Sequence, residues 1–165
     1  MRKQWADWAP LPLRLVLGFG FAYHGFPKVF STHTHAAFAG TLEGMELPLP
    51  DVTAWGVGLF EFFGGLALIV GVLITWVAAL GILEMLYAMF MVHLSQGFNF
   101  IHITGMTESG PRFGLPGYEV NLLYLAGFAT LFLLGAGAAS VDRARGRASV
   151  LETVGEPTQE EEVTV

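Results

Sequence analysis

Seven ionisable side chains stand inside or at the edges of long apolar runs: Arg14, His24, Lys28, Glu61, Glu84, His93 and Glu119. In apolar surroundings each costs at least a few kcal/mol unless it faces a protein interior, so such groups are functional candidates by default. Their types define a chemistry. An imidazole titrates near neutral pH without help, and a carboxyl beside it can take or return a proton. A lysine or arginine at the same place can hold an anion or stabilise developing negative charge. His24, Lys28, Glu61 and His93 are therefore the expected reactive set: proton-exchanging groups and a cation in one polar pocket. The plainer reading is that these charges pair only to hold helices together.

The pocket requires helices that bring the residues to one place. At about 100° per residue, Arg14, Gly18, Phe21, His24, Gly25 and Lys28 fall within an arc of about 120°. Glu61 shares its side with Gly58, Gly64, Gly65 and Leu68. These glycines let another backbone approach closely. Glu84 and His93 are nine residues apart, about 900°, so they point to opposite sides of a straight helix. Arg14, near a span end, also has a plain reading as a snorkelling side chain.

The apolar runs supply the helices. Phe62 to Leu83, Met85 to Thr107 and Val120 to Val141 carry no Asp, Glu, Lys or Arg. The run from Pro12 to Phe30 carries only Arg14 and Lys28 besides His24. A spanning helix needs about 20 apolar residues at about 1.5 Å each. Four spans are expected, at about 12–30, 52–72, 74–95 and 118–138, forming an all-α integral membrane four-helix bundle. The composition agrees: 53% hydrophobic and 13% charged residues, 14 Phe, and a mean hydropathy of +0.56. The first span is read as retained rather than as a signal peptide, because Arg14 and His24 interrupt it and no clean cleavage site follows.

Arg2, Lys3 and Arg14 lie by the first span, and Arg143, Arg145 and Arg147 follow the last. An excess of Lys and Arg marks the cytoplasmic side, so both termini are expected there, in a multi-pass protein of the plasma or inner membrane. Residues 1–11 then form a short cytoplasmic segment, 12–143 the membrane domain, and 144–165 an acidic, disordered tail. Connections 31–51 and 96–117 face outward. On this topology His24, Lys28, Glu61, His93 and Glu119 converge in the outer half, with Glu61 about 14 Å below the edge. Arg14 and Glu84 lie deeper or on the cytoplasmic side.

Several chemistries are excluded or poorly supported. The chain has no cysteine, which removes disulfides, Cys-ligated metal centres and thiol nucleophiles. Five of its six net negative charges follow Arg147, at Glu152, Glu156, Glu160, Glu161 and Glu162. The body is nearly neutral, and no nucleic-acid partner is expected. His33 and His35 lack the neighbouring ligands a metal site needs, and no haem is expected from His24 and His93. Gly110–Gly117 lacks phosphate-loop spacing and reads as a loop with turns. Asn99, His102, Thr104, Arg112 and Tyr118 are ordinary loop residues or a lid over the pocket. Met85, Met89 and Met91 read as packing residues.

Ordered motifs along the membrane body carry a resemblance. Arg14-Leu15-Val16-Leu17-Gly18 leads to Tyr23-His24-Gly25-Phe26-Pro27-Lys28. Leu47-Pro48-Leu49-Pro50 precedes Gly58-x-x-Glu61-x-x-Gly64-Gly65, and Val92-His93-Leu94 precedes Gly97-Phe98. Gly117-Tyr118-Glu119 opens the last span, and Ser140-Val141-Asp142-Arg143 closes it. Over about residues 14–143 the chain resembles the DoxX family of membrane proteins. The resemblance implies a four-helix membrane bundle related to the membrane subunit of thiosulfate:quinone oxidoreductase, with a quinone as diffusible substrate and thiosulfate or a related sulfur or thiol compound as donor. On that reading Phe21, Phe60, Phe62 and Tyr87 pack the quinone, Arg14, Tyr118 and Glu119 contact it or the donor, and His24, Lys28, Glu61 and His93 handle protons and charge. No metal or haem is implied. The partners are the lipid bilayer and a membrane or soluble redox subunit, with a homo-oligomer left open. The alternatives are a non-catalytic anchor for a partner complex and a small-solute or proton pathway.

Overall fold

The structure, a computed structural model, describes residues 5–146. Residues 1–4 and nearly all of the expected acidic tail lie outside the described residues. The chain is mostly helical. Helix α1 runs Pro10–Phe30, α2 Thr32–Gly44, α3 Pro50–Val70, α4 Ile74–Ala88 and α5 Glu119–Leu134. A π turn at Met89–His93 and a 3₁₀ turn at Leu94–Gln96 extend α4. Strands β1, Ile103–Thr107, and β2, Gly110–Phe113, form an antiparallel hairpin before α5.

Local chemistry sets the boundaries. Proline occupies the first turn of α1 and of α3, where its missing N–H has no partner to lose. Ser31 separates α1 from α2, and its hydroxyl accepts the Thr34 N–H at 3.3 Å, capping α2. Gly71 ends α3 in the left-handed region at φ 82°, so α4 begins three residues later. Asp142 accepts the Leu73 and Ile74 N–H groups at 3.0 Å each, so a carboxylate beyond α5 caps the start of α4.

The pattern of exposure is inverted relative to a water-soluble protein. Val16, Phe19, Leu83 and Leu133 point outward, while glycines and one arginine are buried. Among the described residues two helices, Pro50–Val70 and Ile74–Gln96, are long and apolar enough to cross a membrane. Helix α5 is apolar but shorter. The expected span 118–138 stops at Leu134, because Gly135, Gly137 and Ala139 take positive φ and turn the chain away. The connection 31–51, expected only as an outward-facing link between spans, holds α2. Few apolar residues mark that helix: only His35 and Leu42 are buried in it.

Packing divides the helices into two pairs. In α1 and α3 the backbones touch: a Cβ on Gly18 would fall 2.7 Å from the Gly65 carbonyl, and one on Gly25 would fall 2.8 Å from Glu61. In α4 and α5 a Cβ on Gly81 would fall 2.7 Å from the Phe128 ring. Leu17, Phe21, Leu68, Ile74, Val77, Ala78, Phe128 and Leu131 fill the core between the pairs.

Candidate functional site

Glycine packing positions the central charges. Gly58 of α3 lies against the base of Lys28, and Gly25 of α1 lies against Glu61, so the two helices approach at this level. The Lys28 Nζ then meets both Glu61 oxygens, at 2.6 and 2.5 Å. Both side chains are largely buried. The Phe38 ring of α2 covers the ammonium, 4.4 Å from the ring centre, as a cation–π contact.

A third ionisable group joins from α4. Glu84 stands within carboxyl–carboxylate contact of Glu61, and its Oε2 is buried without a hydrogen-bond partner. Tyr124 of α5 is within electrostatic range of Glu61 as well. The site therefore draws one polar group from each long helix: Lys28, Glu61, Glu84 and Tyr124. Its chemical capacity is a cation closed on one carboxylate, with a second carboxyl left over at the seam between the pairs.

Sequence reasoning set Glu84 aside, yet a usable signal existed. Glu61 lies ten residues before Gly71, and Glu84 ten residues after Ile74. In a helical hairpin, residues equidistant from the turn lie level with each other.

The remaining expected residues occupy other places. His24 is exposed and has no hydrogen-bond partner among the described residues; its ring neighbour is Tyr23 at 5.9 Å. It lies about 80° from Arg14 at the edge of the arc drawn on α1, and the buried strip is narrower than that arc. His93 sits in the π turn, where its Nδ1 bonds the Pro116 carbonyl at 2.8 Å and ties down the loop before α5. Glu119 accepts the Phe100 N–H at 3.0 Å, and Tyr118 packs edge-on against Phe98. Tyr87 is exposed. Phe21 is a core residue packed against Phe60, Tyr124 and Phe128. Of the expected reactive set, the structure joins Lys28 with Glu61 and separates both histidines from them.

Arg14 requires a correction. It has no exposed surface, and all five of its N–H donors meet carbonyls. Nε donates to Leu68 at 2.9 Å, Nη1 to Ala136 and Ala138 at 2.7 and 3.3 Å, and Nη2 to Ile69 and Ala139 at 2.9 and 3.2 Å. No donor remains for a ligand. Arg14 closes the bundle end by satisfying carbonyls at the end of α3 and in the turn after α5.

His35 was missed as a structural link. It is buried, with Nδ1 3.1 Å from the Lys28 carbonyl, Nε2 3.0 Å from Asp51, and its ring 4.4 Å from that of Trp55. It thereby pins α2 across the ion pair. Among the described residues no group of three His, Cys, Asp or Glu side chains could hold a metal ion.

An aromatic groove of about 460 Å³ lies between α1 and α3, lined by Phe19, Ala22, Tyr23, Phe26, Pro27 and Phe62. Its α1 side is centred roughly 170° around the helix from Lys28, so groove and ion pair occupy opposite flanks.

Apolar outer faces, glycine-packed helices and a buried inter-helix ion pair define a helical membrane protein. The chain belongs to the DoxX family: the family model DoxX matches residues 9–94, from the start of α1 through the π turn. That stretch contains Lys28, Glu61 and Glu84. No curated protein and no solved structure matches the chain.

Proposed function

We propose that this DoxX protein is a quinone-linked redox subunit of the cell membrane, with four spans and both termini in the cytoplasm. The Lys28–Glu61–Glu84 cluster is its proton-handling site. The observation that carries this reading is the surplus carboxyl. A helix-holding ion pair needs one acid for one base, whereas here Glu84 brings a second acid with an unpartnered buried oxygen. Such a group suits a ligand that exchanges protons.

A quinone takes up two electrons and two protons to become a quinol. The electrons come from an oxidisable sulfur or thiol donor delivered by solution or by a partner subunit, since the chain has no thiol of its own. The quinone head enters at the seam between the helix pairs, where Glu61 and Glu84 meet. Lys28 stabilises negative charge on the reduced oxygen.

The second reading, a non-catalytic anchor, draws support from the aromatic groove, which lies on the flank away from the ion pair, and from Phe21, which is packed into the core. Titration of the purified protein with decyl-ubiquinone, followed by quenching of its tryptophans, separates the two. The quinone reading expects saturable quenching that Glu61→Gln weakens at least tenfold, about 1.4 kcal/mol. Linear, non-saturating quenching in the parent protein refutes it and leaves the anchor.

A further inference from the structure

Between α4 and α5 the chain forms a two-stranded ribbon. At its root the Tyr118 and Glu119 N–H groups donate to the Gly97 and Phe98 carbonyls, both at 3.0 Å. Further out, the Gly117 N–H donates to Asn99 at 3.0 Å and the Gly114 N–H to His102 at 2.8 Å. Strands β1 and β2 continue the ladder to a turn at Glu108 and Ser109. Two of the polar side chains read as loop residues or a lid, His102 and Thr104, knit the ribbon to itself. His102 Nδ1 bonds the Leu115 carbonyl at 3.1 Å, and the Thr104 hydroxyl donates to the Arg112 carbonyl at 3.2 Å.

The apolar side chains of the ribbon are mostly uncovered, apart from the edge-on contact of Phe98 with Tyr118. Phe98, Phe100, Ile103, Met106, Phe113 and Leu115 are between 51% and 77% exposed. An isolated two-stranded hairpin is marginal in water, and contiguous exposed apolar surface marks a contact site.

Three features select what covers it. First, the surface continues that of α4: the exposed Phe90 and Leu94 lead directly to Phe98, and α4 is membrane-length up to Gln96. The ribbon's root therefore stands at headgroup level. Second, most of the apolar side chains lie toward the root, while Thr107, Glu108 and Ser109 form the far end. Third, the only charges from 97 to 117 are Glu108 and Arg112, one of each sign, so the ribbon carries no net field to steer a charged partner.

We propose that the ribbon 97–117 is a membrane-surface device. It lies along the headgroup layer with Phe98, Phe100, Ile103, Phe113 and Leu115 inserted, and its 107–110 turn faces water. His93 and Glu119, through their bonds to Pro116 and Phe100, hold its root to the bundle. This surface is independent of the redox reading.

Because the chain is cysteine-free, single labels test the proposal. Ile103→Cys, Phe113→Cys and Ser109→Cys are each labelled with bimane, reconstituted into phosphatidylcholine vesicles and checked for unchanged helical content. Quenching is measured with a lipid carrying a nitroxide near its headgroup and with aqueous iodide. Labels at 103 and 113 should be quenched several-fold more by the lipid nitroxide than the label at 109, with the order reversed for iodide. Strong iodide quenching at 103 and 113 without nitroxide quenching means a ribbon standing in water and overturns the proposal. Protection of both sites from both quenchers means cover by a second copy, and overturns it equally.

Discussion

Replacing Lys28 with Met retains most of the side-chain volume and removes the only cation in the cluster. Two opposite charges about 2.6 Å apart attract by about 6 kcal/mol at an effective dielectric of about 20. Desolvation offsets much of that, so the intact pair adds little net stability. Breaking it from one side is different: losing one partner of a buried pair costs about 3–5 kcal/mol, because the other charge is left unpaired. In Lys28→Met the loss is at the upper end, because the buried Glu61 carboxylate loses the ammonium that meets both of its oxygens. Glu61→Gln should be milder, since the amide oxygen still accepts a bond from the Lys28 ammonium, which keeps the Phe38 ring over it. At about 2–4 °C per kcal/mol for a chain of this size, Lys28→Met should lower the thermal midpoint by roughly 10–20 °C. The assay is thermal unfolding in detergent micelles followed by tryptophan fluorescence. The double change Lys28→Met with Glu61→Gln should recover part of the loss. A Lys28→Met midpoint within 2 °C of the parent (about 0.5–1 kcal/mol), or one above that of Glu61→Gln, refutes the reasoning.

Three further outcomes follow from the same geometry. Arg14→Lys keeps the charge but replaces five fixed donors with three on a point charge, leaving carbonyls unpaired; it should destabilise by roughly 3 kcal/mol or more, read as the same midpoint shift. Gly81→Leu drives a side chain into Phe128 and should separate α4 from α5, cutting the yield of monodisperse protein in detergent, whereas Gly40→Leu, with open space around it, should not. Single cysteines at Ser109 and Ala144 should react with a membrane-impermeant maleimide from opposite sides of sealed vesicles; reaction from one side removes the four-span topology.

The sequence is most legible where physical chemistry is one-dimensional. Apolar runs located α3 and α4, and the expected spans 52–72 and 74–95 leave room only for a tight turn between them. The motifs from Arg14 to Glu61 pointed to the family that the match over residues 9–94 establishes. Helix α2 was hidden because its buried face consists of little more than His35 and Leu42, too few residues to show a helical period. The end of α5 was misplaced because an apolar run does not reveal that Gly135 and Gly137 turn the chain so that the carbonyls of Ala136, Ala138 and Ala139 meet Arg14.

For the site, the sequence by itself determined that several charges stand where lipid would penalise them, and that Lys28 and Glu61 face inward at similar depth. Only the tertiary structure decided which of these groups meet. The helical period constrains a residue's direction to within a broad arc, and the buried strip of α1 is narrower than that arc, so His24 falls outside it. The π turn gives His93 a loop carbonyl as its partner. Glu84 reaches Glu61 because a hairpin turn places residues of equal distance on one level, a relation between two helices that neither helix's own pattern contains. Arg14 shows the same limit most plainly: its charge can be read from the chain, but the five carbonyls that use all its donors come from two segments that only folding brings together.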